Sequence, residues 1–577
     1  LLFSSGGVDD SAVFAWQSSD PSIVSVSTGG VATGLKVGVA SITATSGGIT
    51  GSVSVGVVSA STGAASLTLS GNATYEDRNY DLSGFTGTLT EKPIRNVVVE
   101  LVAIDGFQVI ATSSTDALGD FNISADNSAR RGGVYLRVVS RTDSANTEKV
   151  EVRNNSTQKS LLAFVSAGID DSVSEPFSTT QDMLATVSSR IGGAFNIIDV
   201  MSDASALVQT LGTCPAPNTD CVPPLATVYW EPNSSAGTFY DDVADAISVL
   251  GGGVVGGDTD EYDDVILVHE YAHFILSKFA RDDSPGGQHD VFDSAQDIRL
   301  SWSEGWATFF AYAVLNSPLY VDTAAGGTLI SFNNENYSGP SKSGTPLSAF
   351  AIYTTNEVSV SGVLWDVIDA VDAGEVDPLD LNFSDVFETV LDFPSLKPTT
   401  LATFWTTFFN APLTAGSSSG FQTILQRRQI SLFEDAGESG ESLLTTSASQ
   451  THTLYQGGAD PAGDTDVISF SANMGTAYTV RTFNLSDGAD TLLTIRGPSS
   501  ELVGSNDNTS GSNHANCGIS IISGTSSCPS NNASNLASTV SFTAQTNGTF
   551  TAEVTHSSTS PPSAGLLGKY EIGLSSP

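Results

Sequence analysis

Apolar and polar residues alternate through the first part of the chain in short runs separated by turn signals. The stretch FAWQSSDPSIVSVSTGGVATGLKVGVASITATSGGITGSVSVGV has the two-residue period of strands covering one face of a core. Residues 1–58 are therefore predicted to form a β-sandwich. Small residues at 59–65 read as a linker. PIRNVVVELV, DGFQVIATSSTDALGDFNI and GGVYLRVVS repeat the strand pattern and predict a second all-β module over 66–160. The period then changes. QDMLATVSSRIGGAFNIIDVMSDASALVQTL, residues 181–211, has apolar residues at helical spacing, with Gly192–Gly193 as the expected break. LATVYW at 225–230 and DAISVLGGG at 245–253 read as strands, and a long apolar helix follows at 262–280. Helical spacing returns at 296–316, 357–371, 383–392 and 400–428, so residues 165–435 are predicted to be an α+β domain. A Gly/Ser/Ala-rich stretch at 436–462 reads as a linker before alternation resumes at 463–577. The predicted architecture is multidomain, with the α+β domain flanked by all-β sandwich modules at 1–58, 66–160 and 450–577, the last one jelly-roll-like.

The length of 577 residues fits several domains. With 22 basic and 63 acidic residues the formal charge is −41, which repels phosphate backbones and anionic lipid. Neither nucleic acid nor a membrane surface is expected as a partner. Cys214 and Cys221 flank one polar loop, and Cys517 and Cys528 another. Two close pairs with no cysteine left over predict two small disulfides formed in an oxidising compartment. No apolar run reaches transmembrane length. Leu1 is not a natural start, so the chain is read as a processed form of a secreted, extracellular protein, in one reading associated with the cell surface, and expected to be a monomer.

One stretch carries chemistry. DDVILVHEYAHFIL places His269, Glu270 and His273 in the order H-E-x-x-H on the predicted 262–280 helix. Positions i and i+4 share a helix face, so two imidazoles can reach one ion while Glu270 reaches a water on it. Apolar neighbours on all sides make two unsatisfied histidines costly, and a metal satisfies both. A catalytic zinc needs a third protein ligand. The metzincin extension would place Gly and His where Leu276 and Phe279 stand, so that class is excluded. His289 could ligate on chemistry alone. Glu304, in SWSEGWATFFA on a second apolar helix, is the stronger choice.

With Glu304, the run E-G-W-A resembles the signature of secreted gluzincins, including collagenase-like enzymes. The resemblance implies a zincin-type domain, zinc held by His269, His273 and Glu304, and peptide-bond hydrolysis by a zinc-activated water with Glu270 as general base. Thr308 stands where thermolysin-like enzymes carry an orienting Asp, so that role is expected to pass to Asp297. His289 and Tyr353 are the expected oxyanion donors, with Tyr312 a further candidate, and Gly305 is expected to bring its helix close to the metal. The strand near 245–251 is the expected edge for pairing with an extended extracellular protein or peptide substrate. The flanking modules also carry resemblances. Trp16, Asp20, Pro21, Val24, Val26, Gly38, Ala40 and Ile42 resemble the bacterial immunoglobulin-like family. Thr115, Asp116, Gly119 and Phe121 resemble the carboxypeptidase-regulatory, transthyretin-like fold. Asp464, Asp466, Phe470, Asp490, Thr491, Leu493, Gly568 and Tyr570 resemble the bacterial pre-peptidase C-terminal domain. Calcium is a candidate structural ion at Asp258, Asp260, Glu261, Asp263 and Asp264, and at Asp464, Asp466 and Asp507. The alternative is a non-catalytic surface adhesion protein with a structural or inactive zinc site.

Overall fold

The computed structural model describes residues 13–59, 62–129, 132–253, 257–292, 296–324, 327–335, 356–369, 379–393, 395, 398–410, 420–421, 424, 443–456, 465–486, 490–507, 518–519, 526–527, 536–557 and 565–576. The described part is mostly β-sheet with a helical middle. The chain divides into two compact units, one of Leu1–Thr210, Asp220–Phe274 and Val321–Leu329, the other of Leu211–Thr219, Ile275–Tyr320 and Ile330–Pro577.

The first unit opens with a small β module. Strands Ala15–Ser18, Gly38–Ser46 and Ile49–Val57 form an antiparallel sheet, and Val24–Val26 pairs with Ala32–Gly34. Alternation along Gly38–Ser46 turns Ala40 and Ile42 onto Ile23 and Val24. The long strand Ser66–Asp81 follows and is the spine of the next layer. It pairs antiparallel with Asp120–Asp126 and Gly84–Pro93, and parallel with Phe177–Thr180 and Met183–Ala185.

An eight-stranded sheet then runs straight across the module boundary predicted near 160. Its order is Phe239–Asp241, Ala246–Ser248, Ala226–Tyr229, Val150–Arg153, Val134–Thr142, Val97–Ala103 and Val109–Ser114, with Ala163–Val165 also beside Val134–Thr142. Val150–Arg153 is the joint. Val150 and Val152 are fully buried, and the strand gains a parallel neighbour in Ala226–Tyr229, with Val150 opposite Ala226. Glu151 survives burial there by accepting from Arg153 Nε at 2.6 Å and Thr227 Oγ1 at 3.1 Å.

Helix α1 (Gly192–Gln209) begins at the glycine pair instead of breaking there. A Cβ on Gly193 would lie 2.5 Å from Glu261 Cγ, and one on Gly192 2.7 Å from Tyr262 Oη. The glycines let the start of α1 abut the segment that leads into helix α2 (Asp264–Phe279). Polar groups fix this junction. Tyr75 donates to Asp199 at 2.9 Å, Arg95 Nε meets Asp199 at 2.5 Å, and Asn196 Nδ2 donates to Asp264 at 2.9 Å.

In the second unit, helix α3 (Ile298–Leu315) is buried from Ile298 to Tyr312. Trp302 stacks on Phe404 of α6 (Leu401–Asn410), while Trp306 packs with Phe310 and with Phe387 of α5 (Phe383–Leu391). α3 also packs on α4 (Glu357–Ile368), where a Cβ on Gly305 would lie 2.5 Å from Val360 Cβ and 2.8 Å from the Glu357 carbonyl oxygen. The close approach that Gly305 permits is thus to α4. The chain ends in two four-stranded antiparallel sheets. One is ordered Gln450–Gln456, Gly565–Ser575, Ala477–Ser486, Thr539–Thr543, the other Thr465–Ala472, Gly548–His556, Thr491–Arg496, Leu502–Asn506. Leu454, Val480 and Ile572 of the first meet Ile468, Leu493 and Val554 of the second in one core, a β-sandwich as predicted. Among the described residues, no helix is long and apolar enough to cross a membrane.

Candidate metal centre

Helix α2 is set by its ends as well as by its apolar stripe. The carbonyl of Asp263 accepts from Ile266 and Leu267, which puts Asp263 at the N-cap. Its carboxylate is taken instead by Thr323, through the backbone N at 2.7 Å and Oγ1 at 2.8 Å. Burial raises the Asp263 pKa well above the carboxylate range. Burial, with Asp77 nearby, pushes Asp264 up to about 7. Asp264 in the first turn and Lys278 in the last complement the helix dipole.

One turn along, the helix presents its two histidines together. His269 Nε2 and His273 Nε2 are 3.2 Å apart, with the rings edge to face. Two donors on a tetrahedral ion with bonds of about 2.0–2.1 Å sit roughly 3.3–3.4 Å apart, so the pair fits zinc. His269 is buried while Glu270 and His273 are partly exposed, which leaves this face open to solvent on one side. Glu270 Oε2 accepts from the backbone N of Tyr240 at 2.8 Å. Tyr240 belongs to Phe239–Asp241, the end strand of the eight-stranded sheet. Ala246–Ser248, expected at the edge, is paired on both sides, with Ala226–Tyr229 and with Phe239–Asp241. A strand too short to show a hydrophobic period took the edge.

The second unit brings together Glu304, His289 and a residue that the sequence pattern did not single out, Glu357. His289 Nε2 lies 3.6 Å from Glu304 Oε2 and 3.5 Å from Glu357 Oε2. Glu304 and Glu357 are 8% and 4% exposed. The available signal for Glu357 was a carboxylate on a largely apolar helix, here EVSVSGVLWDVI, which it shares with Asp366 and where an acid in the first turn also reads as a dipole partner. Asp297 does not take the orienting role expected of it. It caps α3, accepting from the Arg299 backbone N at 2.9 Å, and pairs with the buried Arg299 guanidinium at 2.6 Å. Thr308 is buried on α3, and Tyr312 is buried with its ring against Trp365. Tyr353 lies outside the described residues.

Residues 215–418, which span all of these side chains, match the family described as the Mycolysin C-terminal domain. The middle of the chain therefore carries a segment similar to a protease-related family. Among solved structures, the pre-peptidase C-terminal domain of a collagenase from Bacillus anthracis is similar at 14% identity, over 23% of this chain and 92% of that one, with a TM-score of 0.15. A 9R-lipoxygenase from Cyanothece PCC8801 aligns at 11% identity over 45% of this chain and only 27% of its own, also with a TM-score of 0.15. No curated protein matches the sequence.

The remaining candidates separate. Cys214 and Cys221 are disulfide-bonded, while Cys517 and Cys528 lie outside the described residues. Of the acidic residues before α2, Asp258 and Asp260 gather with Asp322, their carboxylate oxygens within 4.8 Å of one another, a hard-oxygen set of the kind calcium takes. Burial pushes Asp260 up to about 8. Glu261 faces Arg190 at 3.5 Å. In the C-terminal sandwich Asp466 accepts from Tyr570, Asp507 accepts from Ser557, and Asp464 lies outside the described residues.

Proposed function

We propose that this chain is a secreted zinc metallopeptidase of gluzincin type that hydrolyses peptide bonds of extracellular proteins, acting as a monomer. His269, His273 and Glu304 are its metal ligands and Glu270 its general base. The observation that carries the reading is the His269–His273 pair at 3.2 Å, with Glu270 beside it on the same helix held by the end strand of a sheet. The match of residues 215–418 to the Mycolysin C-terminal domain supports a peptidase over other zinc hydrolases.

Zinc, when bound, supplies Lewis acidity and acidifies a water. The chain's own residues do the rest. An extended substrate lying along Phe239–Asp241, the end of the sheet order, presents its backbone next to Glu270. Glu270 takes the water's proton and returns it to the leaving amine. The Tyr240 amide holds the carboxylate in place between these transfers. The oxyanion needs a donor as well. His289 has Nδ1 against the Gly287 carbonyl and Nε2 toward two carboxylates, so the reading assigns that donor to Tyr353.

Bound metal and casein cleavage, measured for wild type and Glu270→Gln, test the assignment. Both proteins should hold zinc, and cleavage should fall by about 10²-fold or more in the variant. Tyr353→Phe should lose about 10²–10³-fold in kcat with zinc retained. A wild type that holds zinc but cleaves nothing in a broad peptide library would instead favour the adhesion protein with an inactive site.

A further inference from the structure

We infer that His289, Glu357 and Glu304 form a second metal site for a divalent ion of the zinc class. Three observations within the second unit carry it.

The first is spacing. The donor atoms of the three residues lie within 4.8 Å of one another, with His289 Nε2 at 3.6 Å and 3.5 Å from the two glutamate oxygens. A charge-assisted N–H···O bond is about 2.7–2.9 Å long. Donors around a tetrahedral ion with bonds of about 2.0–2.2 Å are roughly 3.3–3.6 Å apart. The observed distances match ligand edges better than hydrogen bonds.

The second is the tautomer. His289 Nδ1 is 3.1 Å from the Gly287 carbonyl oxygen. A carbonyl only accepts, so Nδ1 carries the proton, as in most metal-ligating histidines. In the neutral form of this tautomer the Nε2 lone pair faces two carboxylates, an arrangement that a cation held between the three donors makes attractive. Both carboxylates are buried, so they would meet an ion with little competition from water.

The third is a built support. Gln296 Nε2 donates to Glu357 Oε2 at 2.9 Å and to the Asp290 carbonyl at 3.2 Å, while Gln296 Oε1 accepts from the Glu357 backbone N at 3.2 Å. The Asn356 side chain, capping α4, reaches the Val291 carbonyl at 3.4 Å. These bonds tie the His289 loop to the start of α4. Gly286 and Gly287, at φ +60° and +108°, turn that loop so that His289 stays accessible from solvent. One nitrogen with two carboxylates suits zinc or a similar first-row ion rather than the all-oxygen shells of calcium and magnesium. Glu304 has two oxygens, and this ion uses Oε2.

The test is metal analysis of the full chain after chelator stripping, reloading with zinc alone and dialysis, with circular dichroism confirming that each variant folds. Wild type should hold about two zinc ions, and His289→Ala and His269→Ala about one each. Glu357→Gln, near-isosteric and able to keep its Gln296 partner, should weaken the second ion about tenfold or more. About one zinc in wild type, lost in His269→Ala but kept in His289→Ala and Glu357→Gln, would overturn this inference and leave the proposed function standing. One zinc lost in the His289 and Glu357 variants but kept in His269→Ala would support this site and overturn the proposed one.

Discussion

Tyr570 donates its hydroxyl to Asp466, and both are fully buried between the two sheets of the C-terminal sandwich. The two residues were each visible in sequence as parts of a resemblance, but their bond spans about a hundred positions and no local pattern announces it. Tyr570→Phe removes the donor and leaves a buried carboxylate without it, so stability should drop by about 1–3 kcal/mol, read as a lower denaturant midpoint for that domain. Gly305 makes the same point about sterics. Its place beside Glu304 suggested approach to a metal, yet its missing Cβ makes room for Val360 and the Glu357 carbonyl. Gly305→Ala should cost about 1–3 kcal/mol by overpacking, and the zinc affinity should fall with it as α3 shifts. Isothermal titration with zinc against a melting curve separates the two effects.

At the scale of elements, α2 shows how much a helix depends on what holds its first turn. Asp263 and Asp264 are acids at a helix start, a favourable placement for the dipole, yet packing raises the pKa of both. A carboxyl with a pKa of about 7 folded and about 4 unfolded binds more protons in the folded state between those values. Folded stability therefore falls as pH rises from about 4 to about 7, and this group adds no further loss above that. Asp260, up to about 8, acts with the same sign and extends the window. Asp264→Asn keeps an oxygen for Asn196 and should flatten part of the slope. Urea midpoints measured across that window for both proteins check it. The histidine spacing on α2 was legible in sequence because i and i+4 are neighbours in any α-helix. The identity of the edge strand was not, since Phe239–Asp241 is defined by its pairing with Ala246–Ser248 and by nothing in its own three residues.

Over the whole molecule, the eight-stranded sheet joins what the sequence pattern separated. Strands from 97–153 and from 226–248 share one ladder through Val150–Arg153. A fragment of residues 62–165 loses the neighbour of that strand and exposes its edge, so it should aggregate or stay loosely packed on gel filtration. Residues 443–577 enclose their own core and should fold alone, with one cooperative transition and a defined near-UV spectrum. Failure of the second fragment, or clean folding of the first, would contradict this division.

Periodicity was enough for the C-terminal β-sandwich and for the helices α2 and α3, and residue chemistry was enough to set His269, Glu270 and His273 on one helix. Those features are local: a two- or 3.6-residue repeat, or four positions on one helix, needs no distant partner. The strand ladder through residue 150, the glycine-lined starts of α1 and α4 packing, and the placing of Glu357 beside His289 came from segments far apart in the chain. Their cause is close approach, which depends on which side chains are small enough or polar enough where two elements meet, and that meeting exists only in the folded molecule.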